Sequence, residues 1–157
     1  MARDRTTLPF ADKEANDSSG FLLWRLTTLW QRAISAALRP YGITQVQFVL
    51  LASLLWLQSK GEHITQAGLC RHTKLDKMMI SQVLRTLESR GMVTRDAHPT
   101  DTRARTLKLT KSGKNMAITA IPIVEAIDKN FFAATGSKRS DLNRCLLEII
   151  QKNDSTL

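Results

Sequence analysis

Six side chains between residues 77 and 85 are suited to reading the edges of base pairs. Arginine can donate two hydrogen bonds to a guanine, glutamine can pair with an adenine, and methionine can pack against a thymine methyl group. The candidates are Lys77, Met78, Met79, Ser81, Gln82 and Arg85. The same side chains would also form an ordinary solvated helix face, so the surrounding elements must decide between the two interpretations.

A second group of candidates lies in and before the basic segment DTRARTLKLTKSG, at residues 101–113. Arg103 is placed to enter a narrow minor groove, where negative potential concentrates. Asp101 is expected to orient Arg103 or Arg105 through a charge-assisted hydrogen bond, although a surface salt bridge of little energetic value is the alternative. With Arg95, which lies on the preceding strand, these residues are the predicted contacts of a second DNA-binding element.

The elements that would position both groups can be read from the capping residues. Asp76 is a suitable N-cap for a helix over residues 77–90, and Gly91 is suited to end it in the left-handed conformation. A short helix, 65–72, precedes it, and strands 92–97 and 105–109 follow, with Leu107 on an apolar face and Thr106 on a polar one. A helix-turn-helix followed by a hairpin predicts a winged helix, in a mainly α fold with one small β-hairpin.

Helices outside this unit are predicted to form a second layer. Residues 18–38 are apolar on most of the helix circumference, which requires cover from two sides. One side can be the chain's own domain, and the other is expected to be a second subunit. Residues 1–17 are polar and charged and are expected to form a flexible arm.

The positive charge is concentrated on the predicted DNA-binding elements. Residues 71–114 carry 11 Lys or Arg against 4 Asp or Glu, whereas the remaining 113 residues carry 12 against 10. A polyanionic partner is the interpretation that this asymmetry favours. No aromatic residue lies between Leu57 and Asn130, and single-strand binders need stacking rings, so duplex DNA is favoured over RNA.

Catalytic and metal chemistry find no support in the residue pattern. No nucleophile with a base, carboxylate pair or phosphate loop is evident, so no enzyme activity and no cofactor are predicted. The three histidines lack metal-ligand spacing. Cys70 and Cys145 are expected to be buried, inert thiols, reduced in a cytoplasmic protein. No apolar run reaches the 18 residues of a membrane span, so no membrane partner is expected.

The ordered motifs of the segment 87–113 carry a family resemblance. They are Leu87-Glu88-x-x-Gly91, Arg95, Asp101-x-Arg103 and Leu109-Thr110-x-x-Gly113. The chain resembles the MarR (multiple antibiotic resistance regulator) family of transcription factors from about Phe21 to Ile150. The resemblance implies one domain over 18–157, with DNA-binding unit 44–110 and dimerisation helices 18–38 and 111–152.

The resemblance also implies a mode of action. A homodimer would bind a near-palindromic operator and, in the family's usual mode, repress transcription until a small ligand releases it. Small aromatic ligands often bind between the two layers of such proteins, and Trp24, Trp30 and Phe48 could line that pocket, although core packing would explain these rings equally well. Two alternatives remain: a winged-helix module that docks an acidic protein, and a regulator that senses oxidants through a thiol.

Overall fold

The computed structural model describes residues 14–97, 100 and 105–154, and over these the fold is mainly helical with one two-stranded sheet. The elements are α1 Ser19–Leu38, α2 Gln45–Ser59, α3 Gln66–Thr73, α4 Lys77–Ser89, β1 Val93–Ala97, β2 Arg105–Leu109, α5 Lys111–Phe131 and α6 Arg139–Asp154. Short 3-10 turns occupy Ala15–Asp17, Arg39–Tyr41 and Ala133–Lys138. The predicted fold class is confirmed.

Local capping chemistry sets where most of these helices begin. Thr44 and Gln47 form a reciprocal capping box at the start of α2, each side chain accepting a hydrogen bond from the other residue's backbone N–H. Asp76 caps α4 and Thr110 caps α5. Gly91 adopts a positive φ of 66° just beyond α4, as predicted for its position after the helix.

The hairpin is attached to the helix-turn-helix at its base. β1 and β2 are antiparallel, with Val93 opposite Leu109, and Leu107 N–H donates to the Ile64 carbonyl at 2.7 Å. The prediction of a polar face at Thr106 is wrong, because Thr106 is only 2% exposed. A bridge between Thr65 and Thr106 lays the segment before α3 along the edge of β2, beside this buried residue.

Two apolar clusters hold the chain together. The larger one joins α2, α3, α4 and the hairpin, and its fully buried leucine and isoleucine side chains are Leu50, Leu51, Leu54, Leu69, Ile80, Leu84 and Leu87. The smaller one joins α1 to α5 through Ile34, Leu38, Ile43, Ala120 and Val124. α5 contributes to both, since Ala117 belongs to the first cluster and Ala120 to the second.

The helices of the second layer leave much apolar surface uncovered. α6 runs from Arg139 to Asp154 and has no buried residue. Exposed large apolar side chains on α1 and α6 are Phe21, Leu22, Leu23, Trp24, Leu26, Leu29, Leu146, Leu147, Ile149 and Ile150. Of the predicted arm, residues 1–13 lie outside the described residues, and the turn Ala15–Asp17 is linked to α1 by a 3.3 Å hydrogen bond from Arg25 to Asn16.

Among the described residues, no single helix is long and apolar enough to cross a membrane. The segments Ser19–Tyr41 and Gln45–Ser59 meet that length and composition criterion only as a pair, bent by 78°.

Candidate nucleic-acid interface

The orientation of α4 is fixed from both its end and its inner face. Asp76 Oδ1 accepts hydrogen bonds from the backbone N–H groups of Met78 and Met79, at 2.8 and 3.0 Å. Ile80 and Leu84 are fully buried in the main core. Because an α-helix repeats every 3.6 residues, burial of this apolar stripe turns the opposite stripe to the surface.

Met78, Gln82 and Arg85 lie on that opposite stripe, and Met79 and Ser81 flank it. Lys77 lies seven residues before the buried Leu84 and so on the same side as Leu84, and it is exposed because it is the first residue of α4. Ser81 is half-buried, which places it at the edge of the surface and not at its centre. Exposed positions are Lys77, Met78, Met79, Gln82 and Arg85, and Met78 is 76% exposed. A methionine side chain this exposed forgoes the favourable free energy of apolar burial, so its exposure is consistent with a surface that binds a partner.

The turn between α3 and α4 places a further cation beside this surface. Lys74 has a left-handed φ of 56°, and its N–H donates to the Cys70 carbonyl at 2.8 Å to end α3. Its side chain is exposed and lies two residues before the N-cap of α4. The position of the Lys74 side chain relative to α4 follows from this backbone geometry and not from a sequence motif.

The base of the wing is held by the residues of its Leu-Thr-x-x-Gly motif. Thr110 Oγ1 donates to the Gly91 carbonyl at 2.6 Å, and Thr110 N–H donates to the Met92 carbonyl at 3.0 Å. A Cβ atom at Gly113 would collide with that same Met92 carbonyl oxygen. The motif therefore joins the end of α4, the start of β1 and the start of α5 at one point.

Arg95 occupies a different kind of place from the other predicted wing residues. It is half-buried, and its Nε lies 3.2 Å from Glu88 Oε2 on α4, close enough for an ion pair but not aligned as a hydrogen bond. Within the described residues, its buried Nη2 also has no hydrogen-bond partner. This placement favours a role in holding the wing against α4, and a direct contact between Arg95 and DNA stays a prediction.

The outer part of the wing is described only in part. Arg105 is exposed at the start of β2, where it can face a partner. Lys108 forms an ion pair with Asp96 across the hairpin at 2.9 Å. Asp101 and Arg103, the predicted tip residues, lie outside the described residues, and their roles stay predictions.

The three rings predicted to line a ligand pocket are not brought together in the single chain. Trp30 and Phe48 are half-buried against the smaller cluster, and Trp30 Nε1 donates to Asp128 Oδ1 at 2.7 Å. Trp24 is 63% exposed and stacks on Phe21 with ring centroids 5.9 Å apart.

An open cavity of about 670 Å³ lies elsewhere, beside the first turns of α5. It is lined by Tyr41, Lys111, Ser112, Asn115, Met116 and Thr119. Met116 also packs against the cluster that holds Trp30 and Phe48, so the cavity adjoins that cluster. The signal that sequence reasoning missed is the polar stripe at residues 111, 112, 115 and 119, which four-residue helical spacing places on one face.

The two thiols differ in environment. Cys70 is half-buried against the main core, in keeping with a structural role. The prediction that Cys145 is buried is wrong, because Cys145 is exposed on α6, which packs none of its residues fully against the rest of this chain.

Arg90 connects the end of α4 to the start of α2, a contact that was not predicted from the sequence. Its Nη1 donates to the Gly42 carbonyl at 2.8 Å and to Gln47 Oε1 at 3.3 Å. Gln47 is 8% exposed and already belongs to the α2 capping box. The end of α4 is thereby tied to the junction of α1 and α2, a contact that spans more than 40 residues of sequence.

Comparison with known proteins agrees with this architecture. The winged-helix family model described as "ArnR1-like, winged-helix domain" matches residues 39–126. The uncharacterized HTH-type transcriptional regulator YdcH of Bacillus subtilis is 44% identical over 128 residues, covering 82% of this chain and 87% of that protein. The HTH-type transcriptional repressor Rv2887 of Mycobacterium tuberculosis is 33% identical over 128 residues, covering 81% and 89%.

Solved structures give the same assignment. The crystal structure of Rv2887, a MarR family protein, in complex with salicylic acid has a TM-score of 0.66 and 31% identity, covering 89% of this chain and 99% of that one. The Staphylococcus aureus MepR–DNA complex has a TM-score of 0.77 over 88% of this chain and 98% of that one, and at 17% identity this is a likeness of fold alone. The matched winged-helix domain, the curated relatives and the geometry of α4 together place this chain in the MarR family of DNA-binding transcriptional regulators, which are not enzymes.

Proposed function

We propose that the protein is a homodimeric repressor that reads a near-palindromic operator with α4 and the wing. The observation that carries the proposal is the two-sided character of α4, with Ile80 and Leu84 fully buried and Gln82 and Arg85 exposed on the opposite face. Arg85 is the residue best suited to a bidentate contact with guanine, and Gln82 to a contact with adenine. Arg105 and the predicted tip residue Arg103 would contact the adjacent backbone and minor groove.

Dimerisation is supported by the apolar surface that α1 and α6 leave exposed. Trp24 is 63% exposed and Ile149 is 61% exposed, and a monomer in water would gain nothing from this arrangement. Burial against the same helices of a second copy would cover both faces at once, as a twofold interface requires. Two recognition helices related by that axis would then face half-sites one helical turn of DNA apart, or a multiple of it.

The proposed releasing ligand is a small aromatic acid. The cavity of about 670 Å³ beside α5 falls within the size range of small-molecule sites, and it offers the Tyr41 ring, the Lys111 ammonium and the Asn115 amide. Rv2887, a relative of this protein, has been crystallised with salicylic acid. The cavity lies against α5, and Thr110 at the N-terminus of this helix is hydrogen-bonded to the base of the wing. A ligand in the cavity would therefore lie next to the DNA-binding unit.

The test is titration of labelled duplexes by fluorescence anisotropy, using the intergenic DNA beside the gene and a scrambled duplex of equal length. We expect tighter binding to an inverted repeat and sedimentation at about 35 kDa, twice the 17.6 kDa chain. Salicylate should weaken operator binding, and Lys111→Met should reduce that effect. Lys114→Met is the matched control, because Lys114 is exposed on α5 but does not line the cavity.

Two other results would redirect the assignment. If the protein bound an acidic protein and no duplex, docking of an acidic partner would replace operator recognition. Steep salt dependence with a preference for duplex DNA would instead support operator recognition. If peroxide released DNA and Cys145→Ser abolished that release, the exposed Cys145 would support thiol sensing in place of ligand sensing.

A further inference from the structure

We propose that Lys74 is an additional contact to DNA phosphate, and that Asp154 at the end of α6 neutralises it in the unbound protein. The proposal rests on the proposed DNA-reading role of α4. It adds a DNA contact outside both predicted contact groups, and it gives α6 a role in lowering the affinity for DNA.

The backbone of Lys74 holds its side chain near the end of α4 that enters the groove. The hydrogen bond from its N–H to the Cys70 carbonyl at 2.8 Å closes α3, and Asp76 begins α4 two residues later. In helix-turn-helix proteins the N-terminal residues of the recognition helix reach the bases. A cation in the turn just before that end therefore lies beside the phosphates that flank the groove.

The partner of Lys74 in the unbound chain is Asp154, near the C-terminal end of the described residues. Lys74 Nζ lies 2.8 Å from Asp154 Oδ2, with the two side chains 63% and 44% exposed. A carboxylate is unfavourable at a helix C-terminus, where the backbone carbonyls already concentrate negative charge. Lys74 offsets that charge, so the pair links the outer end of α6 to the helix-turn-helix.

An exposed ion pair of this kind opens readily, because solvent screens it and two long side chains must be ordered to form it. Phosphate offers the ammonium an alternative partner and releases counterions when it is bound. Asp154 must be displaced for that exchange, so its carboxylate competes with DNA for the same cation. The competition is independent of base sequence, since phosphates carry no sequence information.

The test is a double-mutant cycle on Lys74 and Asp154 in the full chain, titrating operator and random duplex between about 50 and 200 mM salt. Asp154→Asn should tighten binding to both duplexes by about two- to fivefold at low salt, the range that exposed ion pairs cover. Its salt slope should steepen by up to about one per subunit. Lys74→Gln should weaken both and flatten the slope, whereas Lys74→Arg should bind as the native protein does.

Two controls separate this mechanism from general effects of charge and folding. Asp141→Asn removes the same charge from α6, but Asp141 pairs with Arg144 on its own helix at 2.8 Å, so binding should be unchanged. Lys74→Asn introduces a residue type that tolerates the left-handed conformation at this turn. If the charge is what matters, it must lose as much DNA affinity as Lys74→Gln does.

The decisive comparison is Asp154→Asn in the Lys74→Gln background. If the tightening vanishes there, Asp154 acts through Lys74 as proposed; if it persists, Asp154 merely repels DNA and the proposal fails. Lys74→Gln binding equal to that of the native protein would also overturn it. A native protein that bound no duplex would instead refute the proposed function, and this inference with it.

Discussion

Gly113→Ala tests whether the Leu-Thr-x-x-Gly motif holds the wing by close backbone contact. Gly113 is buried in the first turn of α5, and its N–H donates to Thr110 Oγ1 at 3.1 Å. An added Cβ would collide with the Met92 carbonyl oxygen and lie 2.9 Å from the Met92 carbonyl carbon. Because the obstacle is backbone and not the end of a flexible side chain, the start of β1 or of α5 must move.

The expected effect is a loss of stability despite alanine's better helix propensity. Overpacking of this kind costs about 1–3 kcal/mol. Weakening the hydrogen bond from Thr110 N–H to the Met92 carbonyl costs roughly 1 kcal/mol more. Alanine in a helix returns up to about 1 kcal/mol relative to glycine, which leaves a net destabilisation of about 1–3 kcal/mol.

The matched control is Gly20→Ala, which also lies in the first turn of a long helix but has no atom within 4 Å of an added Cβ. That change should be neutral or stabilising by up to about 1 kcal/mol. Urea unfolding followed by circular dichroism, at one fixed protein concentration because dimerisation would shift the midpoint, measures both variants. Equal stabilities of the two variants would refute the close-contact explanation of Gly113.

Three further predictions concern the DNA-binding elements. Arg85→Ala should weaken operator binding by roughly 1–3 kcal/mol and change random-duplex binding much less, as measured by anisotropy. Arg103→Ala should weaken both duplexes and lower the salt slope by about one per subunit, and native-like binding would exclude the wing tip as a DNA contact. Asp76→Ala should cost about 0.5–2 kcal/mol of stability, since it leaves the N–H groups of Met78 and Met79 without their cap; an unchanged urea midpoint would contradict this.

Elements whose signals are local could be predicted from the sequence. The capping box of Thr44 and Gln47, the cap at Asp76 and the left-handed Gly91 each depend on residues within a few positions of one another. The outward stripe of α4 followed from helical periodicity in the same way. These features predicted which candidate side chains of α4 are exposed, apart from the half-buried Ser81, and their contact with DNA stays a prediction.

Features that depend on contacts between distant segments could not be predicted. Thr106, which alternation assigned to solvent, is buried and pairs with Thr65 of the segment before α3. The pairing of Arg95 with Glu88 required the packing of β1 on α4, which no spacing rule supplies. The burial predicted for Cys145 was wrong because the apolar pattern of a helix does not show whether the same chain covers its apolar face.

In the proposed mechanism, α5 is the element through which a ligand could alter DNA binding. Its first turn is bonded to the base of the wing through Thr110, and its next turns line the cavity with Asn115 and Met116. Ala117 then packs in the core of the DNA-binding unit, and one turn later Ala120 packs against α1. A ligand that displaced α5 by a fraction of a turn would therefore shift the wing relative to α1 and α6, which carry the exposed apolar faces of the proposed dimer contact. Because packed cores resist continuous deformation, such a shift would move the wing and α5 together.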